Sequence, residues 1–313
     1  MLEIYIYIII LLITVFALNS NFSFGGNLSS SVSEKNLMII EHLTQFSSRK
    51  KNYRKAPENY TSNGYLINGE IVADAAYLEY KFPLIDSAES VFKIKLFAQN
   101  TSSVVSQFGI GTDIVESDGG KIQIIANDEA YLKRNMNKDG FYFKSIEDFG
   151  IDYNHVVKIS HELGNPIAMF LKNELEKKGK DSYENRIRAA LNFVQFIPYG
   201  VPEFDHETDV YWGLALPHES LAISYSDCDS KSVLLATILV NLIRPENIIL
   251  VGCHMKDMGA HMIAGVAGFS YPGEYHHYNG KDFLLLETTT PHALEAQPVG
   301  IYEQIEVIPI QLL

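Results

Sequence analysis

The chain is 313 residues long, 47% hydrophobic and 12% aromatic, which supplies a core and argues against disorder. A formal net charge of -13 argues against binding a phosphate backbone, which requires cations to displace its counterions. The only two cysteines, Cys228 and Cys253, form no CxxC pair, which argues against a disulfide-dense scaffold and a thiolate zinc site.

Ile4 to Leu18 is apolar except for Thr14, about the length of a signal-peptide core and short for a spanning helix. Glu3 stands where a basic residue is usual, and Leu18-Asn19-Ser20 offers a weak cleavage site. Residues 1–18 thus read as a signal peptide or, with Tyr5 and Tyr7 at an interface, as a membrane anchor. A buried N-terminal helix is the third alternative. The first two place the remainder outside the cytoplasm, as an exported, periplasmic or membrane-anchored chain.

Residues 19–63 read as a linker followed by a short helix. Ser, Asn and Gly dominate 19–33, and Leu37, Ile40, Leu43 and Phe46 then recur at helical spacing. The basic run from Arg49 to Lys55 reads as a solvated turn or a membrane-surface contact. Residues 64–150 form a β-rich region. Tyr77 to Phe82, Val91 to Phe97 and Lys121 to Ile125 alternate apolar and polar, between turn signals at Asn63-Gly64, Asn68-Gly69 and Gly119-Gly120.

Asp148 to Lys178 has a helical pattern, with a break expected near Gly164-Asn165-Pro166. Asp181 or Ser182 caps a second helix that runs to Ile197 and stops at Pro198. Residues 199–226 read as a long loop, of the kind that is usually functional. An amphipathic helix from Cys228 to Ile243 follows, then strand-like runs at Asn247 to Gly252, Ala260 to Phe269 and Asp282 to Thr288. Asn279-Gly280 is a hairpin signal. This order predicts an α+β fold with an antiparallel sheet over residues 151–313.

Cys228 opens its helix within Asp227-Cys228-Asp229-Ser230-Lys231-Ser232. Free backbone N–H groups and the helix dipole there favour a thiolate and can form half of an oxyanion hole. Lys231 adds positive charge, while Asp227 and Asp229 oppose it. A buried structural cysteine is the alternative. His261 heads an apolar strand, where it is either the base a thiol needs or an ordinary sheet-edge histidine. Glu287 ends another apolar run, where it either orients an imidazole or is a solvated strand end. Together the three form a candidate Cys-His-acid triad, carried on the edges of a helix and a sheet.

Gln195 is a candidate oxyanion donor or a structural hydrogen-bonding residue. Tyr199 and Trp212 are candidate cleft walls or plain core. His254, His276 and His277 lack a ligand spacing such as HExxH, and neighbours on a strand face opposite sides, so no metal is expected. No cofactor is expected either. Cys253 reads as core, and its pairing with Cys228 stays open for an exported chain.

The stretch from Asn192 to Gly300 resembles the transglutaminase-like (papain-fold) superfamily, above all its bacterial exported branch. The resemblance lies in Phe193 to Tyr199, Asp227 to Ser232, His261 to Val266, and Leu286 to Thr290. It implies a papain-like cysteine-enzyme domain in which a Cys-bearing helix packs on an antiparallel sheet. Cys228 would be the nucleophile, His261 the base and Glu287 the orienting acid, acting on a peptide or protein substrate. Glu287 stands where Asp is frequent, and Ser226 where many relatives have Gly. The resemblance covers about a third of the chain.

Overall fold

The computed structural model of the chain describes residues 34–49, 51–53, 66–85, 89–118, 121–126, 128–137, 140–202, 204–205, 209–211, 213–255, 259–268, 270–289 and 302–312. The apolar run of residues 4–18, the linker after it and Trp212 lie outside the described residues.

In chain order the elements are α1 (Glu34–Leu43), β1 (Asn52–Tyr53), β2 (Leu66–Val72), β3 (Ala75–Pro83), β4 (Glu89–Phe97) and α2 (Ala98–Val105). Then come β5 (Ile110–Gly111), β6 (Val115–Asp118), β7 (Lys121–Ile124), α3 (Glu129–Met136), β8 (Phe141–Ser145), β9 (Asp148–Ile151), α4 (Tyr153–Lys177) and α5 (Tyr183–Gln195). The last part holds β10 (Phe204–Asp205), β11 (Asp209–Val210), α6 (Pro217–Ile223), α7 (Cys228–Leu239), β12 (Ile248–Met255), β13 (Gly259–Val266), β14 (Tyr275–Tyr278), β15 (Lys281–Leu286) and β16 (Tyr302–Pro309). The architecture is mixed α and β with antiparallel sheets, an α+β arrangement.

The main sheet has the order β14-β15-β13-β12-β16, all neighbours antiparallel. The near-continuous apolar runs of its inner strands β12, β13 and β15 reflect burial of both faces. Leu250, Met262, Ala264, Val266, Leu284 and Leu286 join the core that contains α7. Ile249, Val251, Ile263, Phe283 and Leu285 form a separate cluster on the opposite face. At Asn279-Gly280 the φ values of 47° and 77° give the left-handed turn that closes the β14–β15 hairpin.

Helix α7 is not amphipathic. Every residue from Ser230 to Leu239 is buried, because α7 lies between the sheet and α4. It also ends at Leu239, short of the expected Ile243. Helix α4 is not broken at Pro166 but runs through to Lys177. The lost backbone bond is offset by packing: Gly164 brings α4 so close to α7 that a Cβ there would press into the Thr237 carbonyl oxygen. Ser182, rather than Asp181, caps α5 by accepting from Asn185 N at 3.1 Å, while Asp181 pairs with Arg186.

The β-rich region contains β2, β3 and β4 as a three-stranded sheet, but also α2 and α3. It shares the main core. Phe82 and Phe92 pack against Phe170 of α4 and Phe193 of α5 with ring centroids 5.0–6.3 Å apart. Tyr80 Oη donates to Leu221 O at 3.0 Å, tying β3 to α6. No break in the core therefore coincides with residue 150.

The expected long loop at 199–226 is structured, with β10, β11 and α6 within it. Its order comes from the basic run. Tyr53 and Asn52 pair with Phe204 and Asp205, and Arg49 bonds Gly109 O and Asp209. Lys51 is buried, donating to Leu214 O at 3.0 Å and Glu219 Oε2 at 2.6 Å beneath the Phe108 and Tyr211 rings. Arg49 and Lys51 thus serve neither as a solvated turn nor as a membrane contact. Their charges are absorbed by acids some 160 residues away.

Candidate active site

Asp227 is the N-cap of α7, in extended conformation, and its carboxylate accepts from Ser230 N at 3.3 Å. That places Cys228 in the first turn. The next residues each hold a different element. Ser230 Oγ accepts from Ala215 N at 3.0 Å, fixing the segment before α6. Lys231 Nζ donates to Ile197 O at 2.7 Å and Gln195 O at 3.3 Å, at the end of α5. Ser232 Oγ donates to Met262 O at 3.1 Å on β13 and lies 3.2 Å from Thr288 Oγ1 beyond β15.

Pairing of β13 with β15 ends at Ala264 and Leu286. Beyond that point the first turn of α7 takes up the β13 edge. Ser232 caps the Met262 carbonyl, and the Met262 N–H interacts with the Cys228 thiol. His261, the neighbour of Met262, has its Nε2 2.8 Å from Glu287 Oε2. The two side chains are only 12% and 5% exposed, so the pair is shielded from solvent. Glu287 Oε1 accepts from Thr289 N at 2.7 Å and Thr289 Oγ1 at 2.6 Å. Burial pushes the Glu287 carboxyl up, but His261 and Thr289 together outweigh it and leave the group below its ordinary value. Glu287 is thus charged at neutral pH, and since a carboxylate only accepts, the His261 Nε2–H is the donor of this bond.

The triad candidates are only partly joined. His261 and Glu287 are hydrogen-bonded, but among the described residues no hydrogen bond links Cys228 to His261. Strand alternation explains this: Met262 faces α7, whereas His261 shares the other face with its cross-strand partner Cys253. Burial pushes the Cys228 thiol well up, and Asp229 and Asp227 push it further. The backbone N–H groups of Met262 and Asp229 act the other way without overcoming this. The resting thiol is therefore protonated.

No family model matches the chain, and no curated protein matches it in sequence.

The secondary candidates fall in different places. Tyr199 is half exposed and adjoins the site. Burial, then Cys228, Asp227, Asp229 and Glu287, push its hydroxyl up to about 12. A parallel bridge to Ser226 holds it there. Gln195 is buried, and its Nε2 donates to Glu287 O at 2.7 Å, so its amide supports the acid-bearing strand end. Cys228 and Cys253 are both free thiols, and Cys253 contacts His261 O at 3.6 Å. His254 is exposed, and His277 bonds Asp282 at 2.7 Å on the surface. Among the described residues no cluster of three or more potential ligands is arranged for a metal ion.

Sequence reasoning missed Tyr153 and the threonines after Glu287. Tyr153 Oη donates to Asp229 Oδ2 at 3.3 Å, holding that acid beside the thiol. The Thr288-Thr289 pair carried the only signal available, since hydroxyls after a strand-end acid can satisfy its oxygens locally.

Proposed function

We propose that this is an exported transglutaminase-like thiol enzyme acting on amide bonds of a peptide or protein, with Cys228 as nucleophile, His261 as base and Glu287 as orienting acid. The observation that carries the reading is the shielded 2.8 Å His261–Glu287 bond through Nε2, which assigns the base role to Nδ1 on a strand whose next residue adjoins the thiol. At rest the thiol and the imidazole lie on opposite faces of β13, so the role requires the imidazole to turn toward α7, and the thiol proton then passes to Nδ1 as sulfur attacks the carbonyl. The tetrahedral intermediate then collapses to a thioester, and the imidazolium protonates the leaving amine. Water releases the acid and regenerates the thiol. An amine in place of water gives transamidation. Water needs no binding site of its own, so peptidase or amidase activity is favoured. Residues 1–18 provide the export signal or membrane tether.

The test is labelling of Cys228 by an electrophilic peptide probe, resolved by peptide mass spectrometry. We expect His261→Ala to slow labelling by at least about 100-fold, the lower end of a general-base contribution. Equal rates in wild type and His261→Ala would overturn the assignment.

One observation favours a second reading. Burial, Asp229 and Asp227 hold the Cys228 thiol protonated, as suits a catalytically silent binding or scaffolding module. In that case iodoacetamide near pH 6 labels Cys228 no faster than a free model thiol.

A further inference from the structure

Lys231 is a buried cation that the reaction above does not use. It is 0% exposed and cannot extend its ammonium to water, so the desolvation cost is met inside the fold. Its two acceptors are main-chain carbonyls at the C-terminal end of α5, where unsatisfied oxygens and the negative end of the helix dipole attract a cation. The acids facing it are Glu287, from beyond β15, and Asp227, from the cap of its own helix.

These contacts complete a connected path. Lys231 binds the main chain of Gln195, the Gln195 amide binds the Glu287 carbonyl at 2.7 Å, and the Glu287 carboxylate binds His261 at 2.8 Å. We propose that Lys231 is the positioning residue and internal counter-charge of this site, acting through Gln195 to set the Glu287–His261 pair against the helix that bears Cys228. The proposal rests on the reading of Cys228 and His261 as nucleophile and base. Burial pulls Lys231 down to about 7, with Glu287 and Asp227 opposing. Its charge, and hence its effect on the thiol and imidazole, fades as pH rises through neutrality.

The experiment compares the full-length wild type with Lys231→Met. Peptide-resolved iodoacetamide alkylation of Cys228 is measured from pH 6 to 9, and the His261 imidazole is titrated by NMR. Removing a nearby positive charge disfavours thiolate and favours imidazolium. We expect Lys231→Met to alkylate roughly tenfold more slowly at pH 6, which equals one unit of thiol shift, and to converge on wild type above pH 8. We also expect the His261 titration to move up. A slowing by the same factor at every pH, or an unmoved His261, would overturn the proposal.

If Lys231→Met does not fold, Gln195→Leu breaks the same path at a neutral link. His261 must then titrate away from its wild-type value, and an unmoved His261 overturns the proposal. The two ideas fail separately. A His261 shift without any enhanced Cys228 reactivity sinks the enzyme reading and leaves the coupling. Enhanced reactivity with no Lys231 or Gln195 effect does the reverse.

Discussion

Glu219→Ala is expected to destabilise the protein by about 3–5 kcal/mol, the usual consequence of stranding one member of a buried ion pair. The Lys51 and Glu219 side chains are 1% and 0% exposed, with the ammonium and carboxylate 2.6 Å apart. The same carboxylate oxygen accepts from Leu216 N at 2.8 Å, closing the start of α6. Burial pulls the Lys51 pKa down and Glu219 holds it up, so alanine removes what keeps that cation tolerable. Chemical denaturation followed by circular dichroism gives the value, and a loss below about 1 kcal/mol, the level of an exposed pair, would contradict it. The double variant Lys51→Met, Glu219→Leu should recover most of the loss, because a buried pair is often replaceable by apolar residues of similar volume.

Gly164→Ala is expected to cost about 3 kcal/mol, at the upper end for overpacking a core. The added methyl meets the Thr237 carbonyl oxygen and lies 2.8 Å from Asn241 Nδ2. The backbone atom cannot swing aside, so α4 and α7 must separate. Gly164 has no positive φ, so strain in the glycine itself does not contribute. Denaturant melts of Gly164→Ala and of Gly179→Ala separate the two causes. Gly179 has a φ of 65° and nothing within 4 Å of an added Cβ, so its loss reports conformation alone. A Gly164→Ala loss no larger than that of Gly179→Ala would show that helix contact is not the reason.

Periodicity located α5, the strands β3 and β4, and α4 apart from its expected start, where Asp148–Ile151 form β9 instead, because one-sided burial imposes a repeat of 3.6 or 2. Helix α7 and the three apolar strands, buried on all sides, were visible only as near-continuous apolar runs. Periodicity failed where long-range contacts decide. The short strands β10 and β11 carry no repeat, and they exist because residues 52–53 and 110–111 pair with them. Helix α6 starts on Pro217 in a stretch that reads as loop, and its order depends on Lys51 and Tyr80. Helix α7 read as amphipathic, but its polar side chains Ser230, Lys231, Ser232 and Thr237 form no solvated face. Each of those side chains has an acceptor or donor inside the fold.

At the candidate site, the meeting of His261 and Glu287 follows from strand ends that the sequence places correctly. The face on which each side chain falls was not legible. Face depends on register, and a one-residue difference between Met262 and His261 decides which of them meets α7. Gln195 and Lys231 were visible as polar residues in apolar helices. Only the structure shows them to be links in one hydrogen-bonded path.

The Lys51–Glu219 pair also sets a schedule for synthesis. Its partners are separated by 168 residues of chain, and β1 must wait nearly as long for β10. At a ribosomal speed of 5–20 residues per second, Lys51 is made roughly 10–30 s before Glu219 exists. Throughout that interval the segment around Lys51 has neither its strand nor its counter-ion, and the basic run is open to whatever holds nascent chains. The delay therefore falls on residues 49–53, which cannot reach their final form until residues 204–219 have been made.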